Sequence, residues 1–399
     1  MQISVTRHFS SWASQDESLQ RLEVQRDSPV KSHTKEQIRM LRSIGMTSKS
    51  LSLLYGQIQN SCETGFASFE KMRFLCWYWG NGDKIVFPLN SKNQLYLGND
   101  SNEWCNYWPF LEQINLNTFY CNLRESDCGS IRKDSREYIL GVGGQSHFGH
   151  FIVNRVAALY QSVLAHPYLS TRNKLLVPLD YIDLHRFILS SMIGDQEKEF
   201  EQLPSKAGIY SVERVIIPCI DEHPDAILGL KGVLEQKHKN RPTTKGKRMY
   251  ITRAANNQND RIYNFKSFSE TLRQIGFEII NPVELSAIER LDAIGDSELI
   301  LTDSGSCSLN GLLFGNKNSI VKTMIPKRVL SSTESTVINQ LCMGFNQGAE
   351  GYWLPLKSQT LSQINPWYDV CEQPSSKILE EFFIQKKIYQ RQQNISSAR

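Results

Sequence analysis

The sequence predicts an α/β fold built from two domains, and three observations support this. Beyond residue 137, short apolar runs alternate with helical patterns of about ten residues, which is typical of parallel sheets covered by helices. The 399 residues are enough for two ordinary domains. The polar stretch KHKNRPTTKGK interrupts the alternation and reads as a linker, which places the domain boundary near residue 243.

The N-terminal domain is expected to span residues 1–243 and to begin with a peripheral lead-in, because residues 1–60 are polar and weakly periodic. Aromatic residues, including Trp77 and Trp108, are then dense as far as Tyr120. Such side chains can stack on sugar rings, but large aromatics more often fill a core, which is the preferred interpretation. The remaining predicted elements are strands at 137–140, 174–178 and 215–218, and helices after Gly144, at 181–192 and at 225–239.

The C-terminal domain is expected to span residues 244–360. Its predicted strands are 248–251, 278–280, 298–302 and 319–321, and its predicted helices are 266–275, 286–294 and 309–314. Gly276 is expected to end the first of these helices. Ser286 and Glu289 form a capping-box pattern at the start of the second. Residues 361–399 are expected to form a helical segment, with a basic helix at 377–393.

Composition excludes several classes of function. The formal charge of +4 is mild and unfocused, so nucleic acid is not an expected partner. It is compatible with a phosphate-bearing substrate and with peripheral contact at an anionic membrane surface. No run approaches the roughly 20 apolar residues of a membrane span, and the N-terminus lacks a signal-peptide core. Nine cysteines without a C-x-x-C pair favour a reducing compartment without zinc. We therefore expect a cytoplasmic location.

The first candidate site is the stretch ELILTDSGSCSLNGLLFG, residues 298–315. Asp303, Ser304, Gly305 and Ser306 lie where a predicted strand ends and a helix begins. Ligands of open α/β sheets bind at that edge, and a helix start with small residues suits a phosphate group. A plain helix-capping turn is an equally good explanation of these residues alone.

A second cluster contains Arg253, Arg261 and Asn264. Arg253 follows a predicted strand, so it is expected at the same edge, and Arg261 follows a polar loop. Two arginines suit a diphosphate because guanidinium groups bind phosphate oxygens through paired hydrogen bonds. Solvated surface charge is the alternative.

A third cluster, GVGGQSHFGHFIVN, contains Gly143, Gly144, His147, His150 and Asn154. A histidine at the start of a helix could act as a general base, because histidine titrates near neutral pH. A helix-end histidine bonded to backbone is the alternative. No D-x-D motif is present to hold a metal-bound nucleotide sugar, so no metal ion or other cofactor is expected.

Four elements in this order resemble glycosyltransferase family 61, whose members include enzymes of capsular and surface polysaccharide synthesis. The elements are Phe148-Gly149-His150-Phe151-Ile152; Arg253 with Arg261 and Asn264; Gly276-Phe277 with Pro282, Glu284 and Leu285; and Ser304-Gly305-Ser306 with Asn310 and Phe314. Three residues depart from the family pattern. Asn154 replaces an acidic residue, Arg290 replaces a glutamine and Ser304 replaces a histidine.

The resemblance implies a GT-B-like fold, in which two Rossmann-like domains face each other across a cleft and the last helix crosses back to the N-terminal domain. It implies an inverting, metal-independent transfer of a sugar from a nucleotide sugar to a glycan or lipid-linked glycan. His150 is the expected base, with His147 and Asp303 as alternatives. The implied donor-binding residues are Arg253, Arg261, Asn264, Glu284, Ser304, Gly305, Ser306 and Asn310. The implied acceptor-side residues are Gly143, Gly144 and Asn154.

Two other functions remain open at this point. One is a non-catalytic nucleotide- or glycan-binding protein of the same fold, and the other is a different polysaccharide-modifying transferase. The expected setting is the cytoplasm, with peripheral contact at the inner face of the membrane. The donor sugar, the acceptor and the oligomeric state are left open.

Overall fold

The structure is a computed structural model. It describes residues 1–6, 8–26, 42, 46–49, 51–52, 63–78, 84–97, 109–115, 117–123, 129–130, 138–140, 148–156, 159–160, 174–177, 183–193, 200–202, 206–219, 224–237, 244–253, 265–303, 305–316, 319–326, 352–356, 358–360 and 369–371. The chain divides into two compact units. Unit 1 comprises Met1–His33 and Gly56–Lys239, and unit 2 comprises Thr34–Tyr55 and Asn240–Arg399.

Unit 1 contains a large mixed sheet. Its strands are β1 Gln2–Thr6, β2 Leu19–Arg26, β3 Glu63–Tyr78, β4 Lys84–Leu89, β5 Gln94–Tyr96, β6 Leu111–Asn115, β7 Thr118–Cys121, β8 Gly129–Ser130, β9 Tyr138–Leu140, β10 Lys174–Val177, β11 Phe200–Gln202 and β12 Gly208–Pro218. Their order is β11-β10-β9-β12-β3-β4-β5-β1-β7-β6, with β2 on β3 and β8 on β12. The helices are α1 Phe9–Ala13, α2 Phe148–His150, a π-helical segment Phe151–Val156, α3 Asp183–Ile193 and α4 Pro224–Lys237.

Only part of this sheet is parallel. β10 pairs in parallel with β9 and β11, and β9 pairs in parallel with β12, as the alternating pattern beyond residue 137 predicts. β12, however, pairs antiparallel with β3 from Gly208 to Pro218. The predicted short strand at 215–218 is therefore the end of an 11-residue strand. Its first half, Gly208–Arg214, lies outside the predicted strand because Ser211, Glu213 and Arg214 interrupt the apolar run there, and pairing with β3 extends the strand through them.

The expected peripheral lead-in is wrong for the residues that the structure describes there. β1 lies between β5 and β7, inside the sheet. Phe9 and Trp12 are completely buried. Trp12 stacks on Tyr96 at 5.4 Å between ring centroids, and its indole N–H donates to the Gln94 carbonyl at 2.9 Å. The segment has few apolar residues, but several of them, including the large rings of Phe9 and Trp12, belong to the main core of unit 1.

Most of the described aromatic residues of unit 1 are buried, although Tyr120 has 48% of its surface exposed. The Trp77 ring lies 4.6 Å from that of Phe110, and Trp77 packs against the main apolar cluster. This confirms the core interpretation for Trp77. Trp108 lies outside the described residues.

Unit 2 contains a five-stranded sheet in the order β14-β13-β15-β16-β17, and every neighbouring pair is parallel. The elements are β13 Thr244–Ile251, α5 Phe265–Gln274, β14 Phe277–Ile280, a 3-10 turn Pro282–Glu284, α6 Ala287–Gly295, β15 Ser297–Asp303, α7 Ser306–Phe314, β16 Ile320–Pro326 and β17 Tyr352–Leu356. An apolar cluster that includes Tyr250, Phe268 and Leu301 joins α5 to this sheet. The α/β class is therefore confirmed.

Local signals predicted the end of α5 and the start of α6 correctly. Gly276 follows α5 with φ 85°, and its N–H donates to the Arg273 carbonyl at 3.0 Å. Ser286 caps α6, and Glu289 completes the predicted capping box by accepting from the Ser286 N–H at 2.8 Å. Both motifs need only residues within a few positions of each other, which is why the sequence reveals them.

The C-terminal segment departs from the expectation of helix. Strand β19 (Asp369–Cys371) pairs antiparallel with β18 (Ser358–Thr360), so part of residues 361–399 is strand. The predicted helix at 377–393 lies outside the described residues. Within the described part of the chain, no helix has both the length and the apolar character needed to cross a membrane.

Candidate functional site

Four of the predicted donor-binding residues, Arg253, Glu284, Gly305 and Ser306, lie at the carboxyl edge of the parallel sheet in unit 2. Parallel strands all end on the same side, and neighbouring strands are about 4.8 Å apart. Arg253 follows β13, Glu284 follows β14, and Gly305 follows β15. Because β13 lies between β14 and β15, these positions come from three adjacent strands.

Asp303 is the last residue of β15, and its side chain forms hydrogen bonds to residues at the end of β13. The carboxylate is buried, accepting the Tyr250 hydroxyl at 2.5 Å and the Thr252 hydroxyl at 2.8 Å. Burial raises the pKa of Tyr250 well above its usual value, and the Asp303 carboxylate adds to this shift. With both oxygens engaged by neighbouring strand residues, Asp303 is placed to fix the strand ends rather than to take a proton from a substrate.

The turn after Asp303 requires a glycine. Gly305 has φ 89° and ψ −137°, a conformation that residues with side chains rarely adopt. It is the N-cap of α7, and as a glycine it has no side chain with which to cap the first N–H groups of the helix. Gly305 and Ser306 are both partly exposed. The helix begins at Ser306, three residues before the predicted start, so its first N–H groups and its positive dipole end lie at the sheet edge.

Arg253 and Glu284 are both exposed at this edge. The backbone before Arg253 is anchored, because the Thr252 N–H donates to the Ile280 carbonyl at 3.0 Å. One Glu284 oxygen accepts from the Asn281 side-chain amide at 3.0 Å. The exposed guanidinium and carboxylate thus sit on well-ordered strand ends, where a ligand can reach them.

Asn310 has a different position from the one predicted. Its side chain is buried, with 2% of its surface exposed, and it accepts from the Arg290 guanidinium at 2.8 Å. Its amide donates to the Ser306 carbonyl at 2.9 Å. Sequence reasoning gave no role to Arg290. The available signal was an arginine on the buried stripe of α6, among Ala287, Leu291 and Ile294.

Several predicted site residues cannot be placed by their side chains. Gly143, Gly144, His147, Arg261, Asn264 and Ser304 lie outside the described residues, and for His150 and Asn154 only the backbone is described. His150 ends α2, and the chain continues directly into the π-helical segment Phe151–Val156. The structure therefore has a π-helical stretch where a long regular helix was predicted. Such stretches are frequent at functional sites.

The apolar residues Phe151, Ile152 and Val156 of this segment are completely buried. The Phe151 ring lies 4.1 Å from the His185 ring of α3. His150, the candidate base, immediately precedes Phe151 in the chain. Among the described residues, no three His, Cys, Asp or Glu side chains are grouped to hold a metal. The expectation of a metal-independent reaction stays a prediction.

Comparison with known protein families finds a match over part of the chain. Residues 148–321 match the family model described as Glycosyltransferase 61. The match covers less than half of the chain, from the start of α2 into β16, and includes the carboxyl edge just described. It confirms the resemblance that the four motifs predicted and supports a glycosyltransferase. No curated protein matches the chain.

Proposed function

We propose that the protein is an inverting, metal-independent glycosyltransferase that uses a nucleotide sugar and acts in surface polysaccharide synthesis. The observation that carries the donor site is the start of α7. It is partly exposed, follows an N-cap glycine that has no side chain, and lies at the carboxyl edge beside the strand end that bears Arg253. This edge falls inside the segment that matches the glycosyltransferase family.

The chemistry follows from where negative charge develops. When the bond between the sugar and the nucleotide breaks, charge builds on the leaving diphosphate. The N–H groups and dipole of α7 and the Arg253 guanidinium would stabilise that charge most in the transition state. Arg261 and Asn264 in the following loop, with Ser304 and Ser306, would add donors. The Glu284 carboxylate would accept a hydrogen bond from a nucleoside hydroxyl.

The acceptor is activated by a base in unit 1. His150, or His147 nearby in sequence, takes the proton of an acceptor hydroxyl as that oxygen bonds to the anomeric carbon. The nucleoside diphosphate leaves from the opposite face, so the anomeric configuration inverts in a single displacement. Gly143, Gly144 and Asn154 would border the acceptor. A GT-B arrangement, with a cleft between two Rossmann-like domains, is part of this proposal.

A non-catalytic binding protein is the second candidate. Two substitutions relative to the family pattern favour it. Asn154 replaces an acidic residue, and Ser304 replaces a histidine. Such a protein would bind nucleotide or glycan without releasing nucleoside diphosphate. A transferase with a different kind of donor is distinguished by the donor screen below.

The first test is ligand-dependent thermal stabilisation by UDP, GDP, CMP and their sugar derivatives, in EDTA and in Mg²⁺. A ligand at a hundred times its Kd adds about 2.7 kcal/mol to the free energy of unfolding. We expect stabilisation in EDTA that is lost in Arg253→Ala. Arg273→Ala is the matched control, since Arg273 is an exposed arginine in the last turn of α5, which leads to the opposite edge of the sheet.

The second test measures turnover with the donor that binds. Arg253→Ala should lower kcat about a hundredfold, the size expected for one transition-state charge contact. The readout is release of nucleoside diphosphate in the presence of glycan acceptors. Unchanged turnover of Arg253→Ala at saturating donor would remove Arg253 from the mechanism. Binding without turnover on any acceptor would favour the non-catalytic candidate.

A further inference from the structure

Helix α6 buries an arginine on its apolar face. Ala287, Leu291 and Ile294 line the buried side of the helix, and Arg290 lies among them with 6% of its surface exposed. Taking a guanidinium out of water is costly unless its N–H groups are well bonded. An apolar side chain of similar size would fill the same space without that cost. The charge at this position therefore calls for an explanation beyond packing.

The contacts of Arg290 connect two turns of the carboxyl edge, the turn after β14 and the first turn of α7. Its Nε donates to the Leu285 carbonyl at 3.2 Å, and its Nη1 donates to the Asn310 side-chain oxygen at 2.8 Å. The Asn310 amide in turn donates to the Ser306 carbonyl at 2.9 Å. Leu285 directly follows Glu284, and Ser306 is the first residue of α7. One chain of hydrogen bonds thus runs from the turn after β14 to the first turn of α7.

The Arg290 guanidinium also places a positive charge close to the start of α7. Burial lowers the pKa of Arg290 to about 10, while the neighbouring Cys307 sulfur opposes the shift. Arg290 therefore remains protonated at neutral pH. A positive charge close to the first turn of a helix adds to the potential that the N–H groups present to an anion.

We propose that Arg290 is a positioning residue of the donor site, which holds the first turn of α7 in place through Asn310 and raises its affinity for a diphosphate. This inference rests on the proposed function, in which α7 binds the leaving group. Arg290 itself is buried behind the helix and acts through Asn310 and through its charge. It does not need to touch the donor.

The test measures binding of inorganic pyrophosphate by calorimetry, alongside the thermal stability of the unliganded protein. Arg290→Met should weaken pyrophosphate binding about tenfold, within the range of a charge near a helix terminus. Arg290→Lys keeps the charge but not the planar fork, so it should weaken binding about threefold. Arg273→Met removes an exposed arginine of the same unit and should leave the Kd unchanged.

A double variant separates positioning from simple stabilisation. Arg290→Met alone leaves the buried Asn310 oxygen without this donor, and so should lower stability. Adding Asn310→Leu removes both partners, which should restore much of that stability. If Arg290 serves only stability, the double variant will also regain wild-type pyrophosphate affinity, and that result would overturn the proposal. If Arg290 positions the site, stability recovers and affinity does not.

The remaining outcomes are also decisive. A wild-type Kd in Arg290→Lys and in Arg290→Met would overturn the inference while leaving the proposed donor site intact. If Arg290→Met does not fold, the Kd of Arg290→Lys decides, and a value equal to wild type overturns the proposal. If the wild-type protein binds neither pyrophosphate nor any nucleoside diphosphate, the donor site itself fails and the inference fails with it.

Discussion

The aromatic core of unit 1 and the carboxyl edge of unit 2 show two uses of a sheet. In unit 1 the long antiparallel pairing of β3 with β12 buries large side chains such as Phe69 and Phe74. Neighbouring antiparallel strands end on opposite edges, so the polar turns between them do not converge. In unit 2 the parallel strands all end together, and polar groups such as Asp303 and Asn310 are buried close to that edge. The parallel sheet of unit 2 thus brings polar groups together at one edge, whereas the antiparallel pairing in unit 1 contributes a large apolar core.

This contrast has a measurable consequence. Substitutions in the core of unit 1 should mainly change the free energy of unfolding. Substitutions at the carboxyl edge of unit 2 should mainly change ligand affinity. The first two predictions below test that separation and the third tests the contact of Tyr250 with Asp303, from the largest expected effect to the smallest.

The largest effect is expected at Trp12. Replacing the fully buried Trp12 with Ala opens a cavity beside Phe9, Phe69 and Tyr96, and should cost about 3–5 kcal/mol of unfolding free energy. Denaturant-induced unfolding measures this loss. Trp12→Phe is the control, and it should cost less because most of the ring volume remains. Nucleotide affinity of the folded Trp12→Ala protein should match wild type, and a lost affinity would break the separation.

An intermediate effect is expected at Gly305. Gly305→Ala forces a side chain into a left-handed conformation and should cost about 1–3 kcal/mol. It should also weaken nucleotide binding, because the start of α7 must shift. Gly276 has nearly the same φ, 85° against 89°, but follows α5 rather than leading into α7. Gly276→Ala should therefore lose comparable stability in thermal unfolding while keeping its affinity. Equal affinities in both variants would contradict the role of the α7 start.

The smallest effect is expected at Tyr250, and it depends on pH. Tyr250→Phe removes one hydrogen bond to Asp303 and should cost about 1 kcal/mol at pH 7. In the folded wild type the pKa of Tyr250 is raised, so the phenol keeps its proton above pH 10, where the unfolded chain loses it. The unfolded state then binds fewer protons, and wild-type stability falls as pH rises beyond about 10. The advantage of Tyr over Phe should shrink there. An advantage that grows above pH 10 in urea unfolding would contradict this assignment.

The carboxyl edge itself was largely predictable from sequence, and its interior was not. Parallel alternation places the residues after β13, β14 and β15 on one side, which is why Arg253, Glu284 and Gly305 could be named together. The direction in which a side chain points at such an edge could not be predicted from the sequence. Asn310 was expected to face the donor, but it turns inward to Arg290, 20 positions away. The amide of an asparagine can bond equally well in either direction, so the residue type alone carries no preference.

The sequence alone determined what depends on neighbours along the chain. The capping box of Ser286 and Glu289, the glycine that ends α5, the alternation of strands and helices in unit 2 and the four family motifs all lie within short windows. Tertiary structure decided what depends on distant partners. β1 lies inside the sheet through its pairing with β5 and β7, β12 pairs along its length with β3, and the buried Arg290 donates to Leu285 and Asn310. The physical reason is that burial and hydrogen bonding are satisfied in space, and a partner more than about ten residues away leaves no local pattern.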